Sequence, residues 1–138
     1  DFYSDFGDPK KDLLIIPLIK PYYIAGSSYP GGLGITLYHY DTKPNNDPMH
    51  SFLGINGVAK FAVENGVIVA VTEQKRPYGL QWFVIVPDKQ IEVGFDNEAG
   101  FKKYIQAYNI TEPLWFEPRP AYKQLRATGC LPWIPGCK

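Results

Sequence analysis

The stretch VAKFAVENGVIVAVTE, Val58 to Glu73, decides the fold because it places Asn65-Gly66 between two runs of strand-forming residues. Asn-Gly readily supplies the two positive φ angles that a type I′ hairpin turn requires. Counting outward from a two-residue turn gives a register with these facing pairs: Val63 and Ile68, Phe61 and Ala70, Ala62 and Val69, Lys60 and Val71. Both faces of this hairpin are largely apolar, so we expect at least part of it to be covered on both sides.

Two further strands extend the hairpin into a meander. The segment from Leu80 to Val86 is rich in strand-forming residues, Pro87-Asp88 predicts a turn, and Ile91 to Phe95 follows as the next strand. Consecutive strands joined by short turns pair antiparallel. The sequence therefore predicts a four-stranded antiparallel meander between residues 58 and 95.

Shorter strands precede the meander. The segment from Leu13 to Tyr23-Ile24 contains Pro17 and Pro21, which lack an N–H group, so it is predicted to form an edge strand or two short strands. Another strand is predicted from Ile35 to Tyr40. The first residues, DFYSDFGDPKKD, are polar and acidic, which predicts an irregular lead-in or tether at 1–12 ahead of a single domain at 13–138.

After Phe95 the apolar period changes from two to about 3.6. Phe101, Tyr104, Ile105 and Tyr108 form one stripe, which predicts an amphipathic helix from about Asn97 to Tyr108, capped by Asp96 and packed on the sheet. The prolines of EPLWFEPRP oppose regular structure, and a short helix is predicted at about 121–127, ending before Gly129. A meander followed by helices is an α+β pattern.

The charge balance excludes several partners. The chain has 14 basic and 14 acidic residues and no long basic block, which argues against binding to nucleic acid or to an anionic membrane surface. No apolar run approaches the roughly 18 residues typical of a membrane span. The glycine pattern of GSSYPGGLG matches neither a phosphate-binding loop nor a dinucleotide fingerprint, so no cofactor is expected.

Both cysteines lie in GCLPWIPGC, where Cys130 and Cys137 enclose six residues. Metal sites usually need four ligands, and redox sites use CxxC at a helix start, so neither function fits this spacing. A structural disulfide that holds the C-terminal tail and presents Trp133 is predicted, with two free thiols as the main alternative. A disulfide persists in oxidising compartments, which favours export to the periplasm or cell surface.

A second constellation contains His39, Asp41, Asp47 and His50 on and after a predicted strand. Two imidazoles and two carboxylates around one loop could hold a divalent metal and leave a position for water, as in a metal-dependent hydrolase. The alternative is that the acidic residues are ordinary turn formers and the histidines are surface groups. The spacing matches no known metal motif, and no other enzyme signature is present.

Aromatic residues could form a recognition surface, because Tyr and Trp combine a large contact area with a polar tip. The alternative is that most of them are core residues, as predicted for Trp82, Tyr104 and Tyr108. Loop aromatics are the better candidates for contact with a partner. The predicted binding surface contains Tyr29, His50, Arg76, Tyr78 and Trp133, and two loops are expected to bring Arg76, Tyr78 and His50 together.

The segments VAKFAVENGVIVAVTEQ, LQWFVIVPDKQIEVGF and LPWIP resemble parts of small cell-envelope lipoproteins and secreted proteins of unknown function from Gram-negative bacteria, notably the Bacteroides group. The resemblance covers residues 58 to 135 and implies export, with or without an N-terminal lipid anchor. It brings no catalytic residues. The expected function is a non-catalytic module that binds a protein or glycan of the cell envelope, or inhibits one; the alternative is a metal-dependent hydrolase.

Overall fold

A computed structural model describes residues 1–29, 34–39, 54–75 and 79–137. In these ranges the chain forms two four-stranded antiparallel sheets and two α-helices, which confirms the α+β prediction. The outer sheet contains β1 (Leu13–Pro17), β2 (Tyr22–Ser27), β3 (Thr36–His39) and β4 (Ile55–Asn56). The central sheet contains β5 (Val58–Glu64), β6 (Val67–Thr72), β7 (Trp82–Val86) and β8 (Ile91–Phe95). Helix α1 spans Glu98–Ile105 and helix α2 spans Pro118–Thr128.

The central sheet is the predicted meander, with strand order β5-β6-β7-β8. Asn65 and Gly66 have φ angles of 52° and 75°, as a type I′ turn requires. Phe61 faces Ala70 and Lys60 faces Val71, as predicted, and a register shift interrupts the ladder only between Val58 and Lys60. The hairpin register therefore follows from its turn.

Two hydrophobic cores lie on opposite faces of the central sheet. The first core lies between the two sheets and includes Ile16 and Ile24 from the outer sheet with Ile68 and Ile85 from the central sheet. The second core lies between the central sheet and α1. Every residue of β6 is buried because its side chains alternate between the two cores. The prediction that the hairpin is covered on both sides is thus confirmed.

Helix α1 covers the second core with Phe101 and Ile105, both fully buried. Its N-cap is Asn97, whose side chain accepts a hydrogen bond from the Gly100 N–H at 2.8 Å. The cap prediction at Asp96 was therefore wrong by one residue. A single 3-10 turn, Gln106–Tyr108, extends the helix.

Helix α2 begins at Pro118, three residues before the predicted start at Ala121. The expectation that prolines exclude regular structure here was wrong, because the first turn of a helix does not use its N–H groups and therefore accepts proline. The helix ends at Gly129, which has a φ angle of 73°. It packs against β1 and β5, where Leu125 is fully buried in the first core.

The first twelve residues contain two single-turn 3-10 helices, Phe2–Ser4 and Pro9–Lys11. The Ile15 N–H donates a hydrogen bond to the Phe6 carbonyl oxygen at 3.2 Å, and Phe6 packs against the first core. Among the described residues, no helix has the length and apolar character needed to cross a bilayer.

Candidate binding groove

An open surface groove of ≈ 470 Å³ lies where α1 passes the end of β8. Helix residues three and four apart share a face, and the β8 end supplies a phenyl ring beside them. The lining residues are Phe95, Gly100, Lys103, Tyr104, Ala107 and Tyr108. The groove is therefore formed by one face of α1 and of the 3-10 turn that extends it, beside the end of β8.

Three aromatic rings form the wall of this groove. The ring centroids of Phe95 and Tyr104 lie 5.4 Å apart, with planes tilted by 52°. Those of Tyr104 and Tyr108 lie 6.0 Å apart, with planes tilted by 41°. The tilts give a curved wall and not a flat platform, so the groove suits a short ligand that contacts several rings at once.

Gly100 keeps one side of the groove free of side-chain atoms. A Cβ at this position would lie 3.3 Å from Cδ1 of Phe95, tighter than ordinary carbon–carbon contact. The glycine therefore lets the phenyl ring lie close to the helix backbone.

The groove also has polar groups. Burial, together with a hydrogen bond to the Tyr108 hydroxyl, raises the pKa of the Tyr104 hydroxyl above its usual value. The Lys89 ammonium lies 5.1 Å from the centroid of the Tyr108 ring, a cation–π contact at the edge of the groove. None of the six lining residues carries a carboxylate, and Lys103 contributes a positive charge.

The sequence interpretation missed this groove because Tyr104 and Tyr108 continue the stripe of Phe101 and Ile105. The structure separates the four: Phe101 and Ile105 are fully buried, whereas the two tyrosines pack only partly against the second core. The residue type could have indicated the groove, because tyrosine places a hydroxyl at the end of an apolar ring and is therefore favoured at a boundary with water.

Tyr29, predicted to contact a partner, is 60% exposed to solvent, and hydrogen bonds hold its backbone in place. Its N–H donates hydrogen bonds to Oδ1 of Asp12 at 3.0 Å and to Oγ of Ser27 at 3.1 Å. Its carbonyl oxygen accepts a hydrogen bond from Nη2 of Arg119 at 3.1 Å. The main chain of Tyr29 is thus fixed while its ring faces solvent.

Trp133, predicted as part of the same surface, is half-buried and packs against the first core. Its indole N–H donates a hydrogen bond to the Pro17 carbonyl oxygen at 2.8 Å. Its ring meets the rings of Phe61 and Phe116 edge-on, at centroid distances of 5.6 and 5.2 Å. The disulfide between Cys130 and Cys137 is present and closes the loop that holds this ring, and no free cysteine remains.

Of the predicted metal-binding residues, His39 lies on β3 beside Tyr22, with ring centroids 5.6 Å apart. The Tyr22 hydroxyl donates a hydrogen bond to the Glu92 carboxylate, and burial, more than this carboxylate, raises the pKa of Tyr22. Within the described ranges, no group of three or more His, Cys, Asp or Glu could hold a metal ion. The other predicted residues, Asp41, Asp47, His50, Arg76 and Tyr78, lie outside the described residues, so the metal site and the two-loop surface stay predictions.

Comparison of the chain with protein-family models, with curated proteins and with solved structures found no match.

Proposed function

We propose that this protein is an exported, non-catalytic glycan-binding module of the bacterial cell envelope, and that the groove between α1 and β8 holds the sugar. The observation that carries the proposal is the curved wall of Phe95, Tyr104 and Tyr108 on an open groove. Concave sites with aromatic walls and a few polar groups are the usual form of a small-ligand site.

Sugar rings suit this wall for two reasons. The C–H groups on one face of a pyranose are apolar and pack on aromatic rings, while its hydroxyls need hydrogen-bonding partners at the ring edge. The tyrosine hydroxyls and the lysine ammonium supply such partners beside the apolar surface. The ring spacings of 5.4 and 6.0 Å are comparable to the length of one hexose along a β-1,4-linked chain.

Export is supported by the disulfide, because such bonds form and persist in oxidising compartments and are rare where cellular thiols are reduced. The periplasm and the cell surface both meet this condition. Fractionation of the native cells, with detection by an antibody against the chain, distinguishes the periplasm from the cell surface. Finding the protein in the cytosol with reduced cysteines would contradict export.

The groove is tested by glycan-array binding and titration calorimetry with wild type and Tyr104→Ala. We expect the substitution to weaken binding of the selected glycan at least tenfold, because loss of an aromatic hot spot typically costs 2 kcal/mol or more. Tyr29→Ala is the matched control, since it removes the same side chain from an exposed site with no part in the groove. The groove would be excluded as a glycan site if wild type bound no glycan. It would also be excluded if Tyr104→Ala bound the glycan with the same affinity as Tyr29→Ala.

A protein partner at Tyr29 is a second candidate function, favoured by its exposed ring on a fixed backbone. A rigid main chain lowers the entropy lost on binding, and tyrosine is enriched at binding hot spots. A pull-down from the native organism compares wild type, Tyr29→Ala and Arg76→Ala/Tyr78→Ala. A partner lost only with Tyr29→Ala supports this surface, and a partner retained by both variants excludes both candidate surfaces.

A further inference from the structure

We infer that the groove selects anionic sugars, in which a carboxylate or sulfate lies against Lys103 and Lys89 while the ring packs on Tyr104 and Tyr108. This inference rests on the proposed function, because it names the class of glycan that the same groove takes. It adds charge selectivity, which the aromatic wall alone does not give.

Two lysines lie near the aromatic wall. Lys103 lies on α1 between Gly100 and Tyr104 and lines the groove itself. Lys89 comes from the turn before β8, and its ammonium lies 5.1 Å from the Tyr108 ring centroid. A sugar packed against the tyrosines would therefore share the groove with Lys103 and lie close to Lys89 beside Tyr108.

Two acidic residues near α1 pair with Lys102, which does not line the groove. Glu98 contacts Lys102 at 3.6 Å, and Glu112 contacts the same ammonium at 3.3 Å. This arrangement raises the pKa of Lys102, with the Glu112 hydrogen bond as the largest cause. Within the described part of the chain, no carboxylate lies within ion-pair distance of Lys89 or Lys103. The groove thus offers positive charge that an anionic ligand can complement.

The size of the effect is limited by solvent. Lys89 and Lys103 are both exposed, and an exposed ion pair contributes up to about fivefold in affinity. The tyrosine contacts are expected to contribute more. Anionic selectivity should also weaken as salt rises, because the Debye length falls from about 10 Å at 0.1 M ionic strength to about 3 Å at 1 M.

The experiment uses three matched ligands that differ in charge: cellotetraose, the tetramer of β-1,4-linked glucuronic acid, and sulfated cellotetraose. Titration calorimetry at low and high salt compares wild type, Lys103→Gln and Lys123→Gln. Lys123 is an exposed lysine on α2, so its substitution makes the same change of net charge away from the groove.

We expect an anionic tetramer to bind wild type more tightly than cellotetraose, and Lys103→Gln to weaken that binding by about three- to fivefold at low salt. Cellotetraose binding should not change, and Lys123→Gln should match wild type. Preference for the glucuronate or for the sulfated ligand identifies the acidic group. Equal affinity for neutral and anionic ligands, or equal losses from Lys103→Gln and Lys123→Gln, would overturn charge selectivity and leave the groove standing. Binding of none of the three would refute this inference, whereas the proposed function is refuted only if the glycan array also yields no ligand.

Discussion

Two clusters of three aromatic rings in this protein have similar internal spacing, but only one of them is built around a fully buried ring. The closed cluster consists of Phe61, Phe116 and Trp133, with centroid distances of 5.2 to 6.1 Å. The open cluster consists of Phe95, Tyr104 and Tyr108 and forms the wall of the groove. Ring-to-ring geometry alone therefore does not distinguish a core from a recognition surface.

The difference lies in what covers the rings and where their polar atoms point. In the closed cluster, Phe116 pairs with the edge of β5, the disulfide loop places Trp133 over Phe61, and the indole N–H is satisfied by a backbone carbonyl. In the open cluster, all three rings are half-buried, pack partly against the second core and line the groove. A buried aromatic needs a partner for its polar atom within the fold, whereas an exposed one can offer it to a ligand.

The largest effect should come from Phe61→Ala, which removes a fully buried ring from the closed cluster. We expect a loss of about 3–5 kcal/mol in the free energy of unfolding, the usual cost of deleting a core Phe. Chemical denaturation measures it, with Tyr104→Ala as the comparison from the open cluster. If Tyr104→Ala costs as much stability as Phe61→Ala, the open cluster is part of the core and the distinction fails.

The second largest loss of stability should come from removing the disulfide. Replacing Cys130 and Cys137 by serine removes an eight-residue closed loop, for which the chain-entropy model gives about 2–3 kcal/mol. The same denaturation measurement applies, and glycan affinity should stay unchanged because the loop supports the closed cluster only. A double variant with wild-type stability would show that packing alone holds the closed cluster.

Trp133→Phe should have a smaller effect, because an aromatic ring remains while the hydrogen bond to the Pro17 carbonyl oxygen and a part of the ring contact are lost. We expect about 0.5–1.5 kcal/mol of destabilisation, plus a contribution from the smaller ring. Comparison with Trp133→Ala separates the hydrogen bond from the packing. Equal stability of Trp133→Phe and wild type would mean that the carbonyl finds another donor.

The smallest effect concerns Asp12, which holds the backbone of the exposed Tyr29. Burial raises the pKa of Asp12, but hydrogen bonds from the Ser27 and Ser28 hydroxyls and from backbone N–H groups outweigh it, so the pKa is lowered. A lowered pKa stabilises the fold above the unfolded value of about 3.9, and this stability is lost as the pH falls through the folded value. Asp12→Asn should therefore flatten the loss of stability below about pH 4. An unchanged pH profile would show that these hydrogen bonds do not favour the ionised form.

Local sequence signals predicted much of the central sheet. Asn65-Gly66 determined the turn, and the count outward from it gave every hairpin pair that the structure contains between Lys60 and Val63. Helix α1 and the disulfide could also be predicted from the sequence, because helical periodicity and short loops depend on residues close along the chain. The start of α2 was missed because prolines were weighed as breakers and not as first-turn residues.

The amino-acid sequence by itself determined the meander, the register of its first hairpin and the helix packed on it, because turns and hydrophobic periods depend on residues close along the chain. Only the tertiary structure decided which aromatic rings are covered. Trp133 packs against Phe61 and donates a hydrogen bond to the Pro17 carbonyl oxygen, and Tyr104 meets Phe95 at the groove, through contacts that no local pattern encodes. Burial depends on segments that are distant in sequence and close in space. The candidate groove therefore follows only from the packing of α1 beside the end of β8.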